Sequence, residues 1–180
     1  MPDASTSPAR TELPSVTRRL GITPRMRALA ACVPFGTRVF VDVGSNHCIL
    51  PIAVLRAGRA QRCVGVDSSQ AAVFDARRRL RRVRMDQRVD LCVGDGLLPI
   101  GGDEVDVVCI AGLGPRVVTS LLERGVARLV AAQVRLVLNP FGGSAAPREW
   151  LSANGFALRE DLLVAERGRS YTILVAERSA

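Results

Sequence analysis

Three acids in this 180-residue chain sit where apolar runs break into turns: Asp42-Val43-Gly44, Val66-Asp67 and Gly94-Asp95-Gly96. A carboxylate at such a place accepts hydrogen bonds from a ligand's hydroxyl and amino groups, and a neighbouring glycine lets backbone approach closely. Asp67 lies 25 residues beyond Asp42, about where an acid after a second strand accepts from both hydroxyls of a ribose. Asp95 is then placed to accept from an adenine amino group. Singly, each has an ordinary explanation: Gly44 as a turn glycine, Asp67 as an acid favoured by a helix dipole, Asp95 as a loop residue. In order, on successive strands, they read together as the site of a nucleoside-bearing cofactor. The first turn lacks G-x-G-x-x-G, which speaks against a nicotinamide dinucleotide.

That first turn, Gly44-Ser45-Asn46-His47, also holds the chain's single histidine. No second histidine exists to build a zinc site. His47 has the chemistry of a general base, but a structural or cofactor-contact role is expected. The cysteines Cys32, Cys48, Cys63, Cys92 and Cys109 form no C-x-x-C pair and mostly lie in apolar runs. Buried, reduced thiols are expected, and neither a metal site nor a disulfide framework.

The elements that must position these residues follow from periodicity. Thr23-Pro24 reads as a cap and first helical position, and Met26, Leu29, Ala30 and Val33 recur at helical spacing up to Pro34. A strand over 38–43, a helix over 48–57 and a short strand over 63–66 follow. Ser68 or Ser69 caps the next helix, with Val73, Ala76, Leu80 and Val83 on one face. Strands are expected over 89–93 and 105–110, then a helix carrying Val117 to Leu122, a further helix over 126–133 and a strand over 134–138. A short helix over 148–153 and two strands, 162–165 and 171–176, turning at Arg167-Gly168-Arg169, end the pattern.

Strand–helix alternation implies a parallel sheet covered on both faces. The closing hairpin would insert one antiparallel strand, a pattern expected of S-adenosylmethionine-dependent methyltransferases rather than of nicotinamide-binding domains. The expected architecture is therefore a single Rossmann-like α/β domain: a mostly parallel seven-stranded sheet with a C-terminal antiparallel hairpin.

A net charge of +8 favours polyanionic partners, nucleic acid first. All 25 basic residues are arginine, which suggests a compositional bias as much as selection for phosphate binding. The densest basic stretch, Asp75 to Arg84, reads first as a solvated helix face and second as an RNA surface. Residues 1–22 are expected to form a disordered tail, and 23–180 the domain. No apolar run reaches the ~20 residues of a membrane span.

With the loops placed, the chain resembles the bacterial tRNA adenine-N1 methyltransferases that modify the D-arm adenine at position twenty-two. The resemblance rests on Val33-Pro34-Phe35-Gly36, Asp42-Val43-Gly44-Ser45-Asn46-His47 followed by Leu50-Pro51-Ile52, and Gly94-Asp95-Gly96-Leu97. It continues through Ile110-Ala111-Gly112-Leu113-Gly114-Pro115, Arg148-Glu149-Trp150-Leu151 and Tyr171. It implies S-adenosylmethionine bound by Asp42, Gly44, Ser45, Asn46, His47, Asp67, Ser68, Gly94, Asp95, Gly96 and Ala111. Asn46, Gly112 and Gly114 would stand at the reacting atoms, and Arg25, Arg27, Arg116 and Arg148 would contact tRNA. A cytoplasmic monomer or weak dimer without metal is implied.

The chain departs from the family pattern in four ways. Asn46 stands for an acid, Pro115 for a second glycine in a loop it would stiffen, and Asn139-Pro140-Phe141 for Gln-Pro-Asn. The family's C-terminal helical extension is expected to be missing. Two alternatives stay open: a module of this fold with impaired catalysis that binds RNA or a partner, and a methyltransferase for a small molecule or protein.

Overall fold

A computed structural model describes residues 21–100, 105–131 and 133–179. Seven strands form one sheet: β1 (Thr37–Val43), β2 (Ala60–Asp67), β3 (Val89–Val93), β4 (Val107–Ala111), β5 (Arg135–Asn139), β6 (Phe156–Glu166) and β7 (Arg169–Arg178). Their order is β3-β2-β1-β4-β5-β7-β6. The first five are parallel, and β7 runs antiparallel to both β5 and β6. The expected mixed sheet with its closing hairpin is therefore the fold observed.

Alternation along the central strands splits the core into two layers. Phe40, Cys63, Val107, Cys109 and Val137 face α1 (Pro24–Ala31), α2 (Ile49–Arg56) and α3 (Gln70–Arg82), which contribute Leu29, Ile52 and Leu80. On the opposite face Val41, Val108, Ile110, Leu136 and Leu138 pack against α4 (Pro115–Ala131) and α5 (Ala145–Ala153), which contribute Leu122 and Trp150. Each fully buried aliphatic side chain of this kind contributes roughly 1.5–3 kcal/mol.

Local signals hold at most boundaries. Thr23 caps α1, accepting from the Met26 amide at 3.3 Å, and Ser69, not Ser68, caps α3 through the Ala72 amide at 3.2 Å. The two helices expected after β4 are one: α4 runs unbroken from Pro115 to Ala131. Gly125 lies inside it, and a Cβ there would meet Leu97 Cδ1 at 2.5 Å. That glycine is a contact surface for Leu97 rather than a helix end. Pro115 is the first residue of α4, where its missing N–H costs nothing. Strand β6 begins six residues earlier than expected, at Phe156, with a register shift between Leu158 and Glu160.

The expected tail lies outside the described residues up to residue 20, and Ile22, placed at its end, is buried in the core. The five cysteines are unpaired, four of them buried. Among the described residues no helix is long and apolar enough to cross a membrane, and no group of three or more His, Cys, Asp or Glu could hold a metal ion.

Candidate cofactor and methyl-transfer site

Parallel register brings the carboxyl ends of five strands to one edge. Asp42 pairs with Gly65 and Cys109, Asp67 with Val93, and Ala111 with Asn139. Ligands bind in open α/β sheets beyond such an edge.

The first turn is built from backbone upward. Gly44 takes φ +76°, reversing the chain after β1. The amides of Gly44 and Ser45 both donate to the Val66 carbonyl, at 2.8 and 3.0 Å, which clamps the turn to the end of β2. Cys48 then adopts φ +51°, a left-handed conformation that costs a non-glycine residue about 1 kcal/mol or more. Its buried sulfur lies 3.4 Å from Ser45 Oγ. Beneath both, Gly65 is tightly packed: a Cβ there would lie 3.0 Å from Cys48 Sγ and 3.1 Å from Ser45 Oγ, so these neighbours would have to give.

Asp42 is 6% exposed and accepts one hydrogen bond, from Ser45 Oγ at 2.7 Å. Among the described residues no cation pairs with it. Burial pushes its carboxyl up to about 7; the Ser45 hydroxyl opposes that rise and the Asp67 charge adds to it. The site thus contains a desolvated acid without a counter-charge.

Asp67 is committed differently. Its Oδ2 accepts from the Asn46 amide at 3.0 Å and its Oδ1 from the Ser69 amide at 2.9 Å. Each oxygen keeps a lone pair, so a vicinal diol can still be received. Its carbonyl accepts from the Gly94 amide at 3.0 Å, joining the third loop to the second. Gly94 and Gly96 have packing reasons of their own: a Cβ would meet Pro99 Cγ at 2.8 Å and Leu121 Cδ2 at 2.6 Å. The Asp95 carboxylate is engaged by Arg124 at 2.7 Å, so an adenine amino group would use its remaining lone pairs. Ser68 is exposed at the rim.

Between the first turn and β4 lies a cavity of about 180 Å³. Its walls are Asp42 and the turn from Gly44 to His47, Ile49 and Leu50 of α2, Ala111-Gly112 after β4, and Arg25, Met26 and Leu29 of α1. Gly112, at φ +77°, has no neighbour within 4 Å of the place a Cβ would take, so its backbone is open to a ligand. Gly114 is half-buried and immediately precedes α4, its carbonyl accepting from the Val118 amide at 3.0 Å. His47 and Asn46 are exposed at the mouth.

The expected RNA contacts fall in different settings. Arg116 is exposed at the start of α4. Arg27 donates to the Ile22 carbonyl at 3.1 Å, and Arg148 pairs with Asp161 at 2.7 Å. Arg25 belongs to the cavity wall. Its Nη1 donates to Asn139 Oδ1 at 3.1 Å, its guanidinium lies 4.7 Å from the Tyr171 ring centre, and its amide donates to Glu166 at 3.0 Å. Burial would raise the Glu166 carboxyl, but bonds from Thr23 and the Arg25 amide and the Arg25 charge hold it below its usual range. Asn139 Nδ2 in turn donates to the Thr172 carbonyl at 2.7 Å. Sequence reasoning missed this network, including Asn139 and Glu166 as parts of the site. Its hydrogen-bonded partners lie 33 to 141 residues apart and leave no local pattern.

A methyltransferase-domain sequence family matches residues 22–174. The chain is 30% identical to the tRNA (adenine(22)-N(1))-methyltransferase of Bacillus subtilis over 158 residues, which is 88% of this chain and 66% of that protein. It therefore spans just under two thirds of that curated relative's length. The crystal structure of the B. subtilis m1A22 tRNA methyltransferase TrmK superposes with a TM-score of 0.84 at 29% identity, covering 89% of this chain and 68% of that one. Streptococcus pneumoniae Sp1610 in complex with S-adenosyl-L-methionine superposes with a TM-score of 0.80 at 28% identity, covering 86% and 72%. With the strand order, the turn after β1 and a family match over most of its length, the chain belongs to the methyltransferase-domain family.

Proposed function

We propose that this protein is an S-adenosylmethionine-dependent methyltransferase acting on N1 of an adenine in tRNA, in the cytoplasm where that substrate resides. The observation that carries the cofactor assignment is Asp42. A buried carboxylate without a counter-charge is costly, and it suits a ligand that brings a cationic ammonium or sulfonium. Asp67, with two free lone pairs, suits the ribose, and the open backbone at Gly44 and Gly112 suits close approach. The cavity has the size of the methionine end of such a cofactor; the ribose and adenine would continue along the rim past Asp67 to Asp95. The likeness to the B. subtilis tRNA methyltransferase supports the choice of substrate.

Bound there, S-adenosylmethionine supplies an electrophilic methyl group. The chain's own residues then have mainly to align and to exclude water, because adenine N1 carries an in-plane lone pair and needs no base to activate it. The Ala111-Gly112 backbone gives a flat wall for a base, and Met26 and Leu29 keep the inner side apolar. The Asn46 side chain at the mouth can accept from an exocyclic amino group, although it cannot neutralise the charge the adenine gains. The direct experiment supplies labelled S-adenosylmethionine and an unmodified tRNA transcript and maps any methylated base. N1-methyladenine is the expected product. Cofactor binding without transfer would instead favour a non-catalytic module.

A further inference from the structure

We propose that the cleft beyond β5, beside the methyl-transfer cavity, is a stacking subsite for one unpaired nucleobase flanking the target adenine. This rests on the reading of the protein as an RNA methyltransferase. The cleft has a volume of about 580 Å³, and its lining includes Phe141, the Gly142-Gly143 backbone, Arg169 and Tyr171.

Four observations carry the assignment. First, Phe141 is 49% exposed although its backbone is fixed, its amide donating to the Leu113 carbonyl at 2.8 Å. Its ring is thus presented outward from a rigid loop. Second, Phe141 and Tyr171 lie 6.4 Å apart, centre to centre, with planes inclined at 40°, so the second ring closes one side of the first. Third, Gly142 and Gly143 take φ of +90° and +145°, conformations that favour glycine by themselves, and no atom lies within 4 Å of where their Cβ atoms would be, so their backbone is open for a flat ligand to lie against. Fourth, Arg169, the first residue of β7, lines the cleft and, among the described residues, forms no salt bridge. An aromatic platform beside such an arginine matches the two halves of a nucleotide, base and phosphate.

The two cavities share a wall. Arg25 lines the methyl-transfer cavity and lies over Tyr171, and Asn139 bonds both Arg25 and the Thr172 carbonyl of the cleft. A base seated on Phe141 would therefore belong to a nucleotide adjacent to one whose base reaches the mouth of the first cavity.

The test uses the full chain and an unmodified tRNA transcript, with 2-aminopurine placed in turn at each nucleotide flanking the methylated adenine. Stacking quenches this fluorophore. In the wild type one flanking position should be quenched on binding, and Phe141→Ala should restore its emission. The same variant should raise the Kd and KM for tRNA roughly five- to thirtyfold, the lower range for loss of one base–aromatic stack. Its kcat and its affinity for S-adenosylmethionine should change less than about threefold, and Phe141→Trp should restore wild-type behaviour. Arg169→Ala should weaken binding and flatten its salt dependence. Unchanged tRNA affinity in Phe141→Ala, or equal emission at every position, would overturn the subsite while leaving the enzyme reading intact. So would a failure of Phe141→Trp to restore binding. If the wild type neither binds nor methylates tRNA, the functional reading itself falls, and the subsite with it.

Discussion

Replacing Asp42 by Asn should make the empty protein more stable above neutral pH and less able to bind its cofactor. The Asp42 carboxyl titrates at about 7 in the fold against 3.8 in an unconstrained chain. The folded state therefore holds this proton more tightly than the unfolded state does. Below pH 4 both states are protonated and the site costs nothing. As pH rises from 4 to 7 the unfolded chain ionises freely while the folded one resists, so stability falls, and the loss is complete above about 7. Roughly three pH units at 1.36 kcal/mol each give a ceiling of about 4 kcal/mol. Water entering the open cavity lowers this, and a gain of roughly 2–4 kcal/mol is expected for Asp42→Asn at pH 8. Asn keeps an oxygen to accept from Ser45, so little packing is lost. For a domain of this size the gain corresponds to roughly 5–15 °C in Tm. Thermal unfolding of both proteins without cofactor, from pH 8.5 down to 4.5, would show the difference shrinking as pH falls. A difference that does not vary with pH, or a variant less stable than the wild type at pH 8, would refute the reasoning. Titration calorimetry with S-adenosylmethionine should show the reverse ranking in affinity.

Three further substitutions probe the same edge. Asp67→Ala removes the acceptor of two backbone amides and of the proposed ribose contacts; hydrogen bonds to a charged group contribute about 1.5–3 kcal/mol, so cofactor Kd should rise roughly 10- to 150-fold by calorimetry. Gly65→Ala pushes against Cys48 Sγ, Ser45 Oγ and Leu91 Cδ2 at 3.0–3.1 Å; urea unfolding should show a loss of about 1 kcal/mol, with weaker cofactor binding because Ser45 must move. Asn46→Asp places a negative charge near the adenine that becomes cationic, and single-turnover methylation of tRNA should quicken on the order of tenfold; an unchanged rate would mean that the missing acid does not limit transfer.

What the sequence reveals is what neighbours along the chain decide. The acid-glycine turns, the caps Thr23 and Ser69 and the alternation that fixes sheet faces all depend on residues within a few positions. The single helix α4 was not legible, because the reason for Gly125 is Leu97, on another loop. The true length of β6 was hidden too: Arg159, Glu160 and Asp161 interrupt its apolar pattern, and its outer positions are exposed at the sheet edge. The cavity wall was the least legible part. Arg25 reads as a surface cation, and only the fold brings Asn139, Glu166 and Tyr171 to it.

That wall has a consequence for how the protein is made. Arg25 lies near the N-terminal end of the described residues, yet its partners lie 114 and 141 positions later, at Asn139 and Glu166. During synthesis, which proceeds from the N-terminus at roughly 5–20 residues per second, the acid-bearing loops leave the ribosome many seconds before the hairpin that holds Arg25 in the cavity wall. Contacts of such separation form late. A nascent chain could thus carry Asp42, Asp67 and Asp95 while Arg25, on the cavity wall, still lacks the partners Glu166 and Tyr171 that the last hairpin brings.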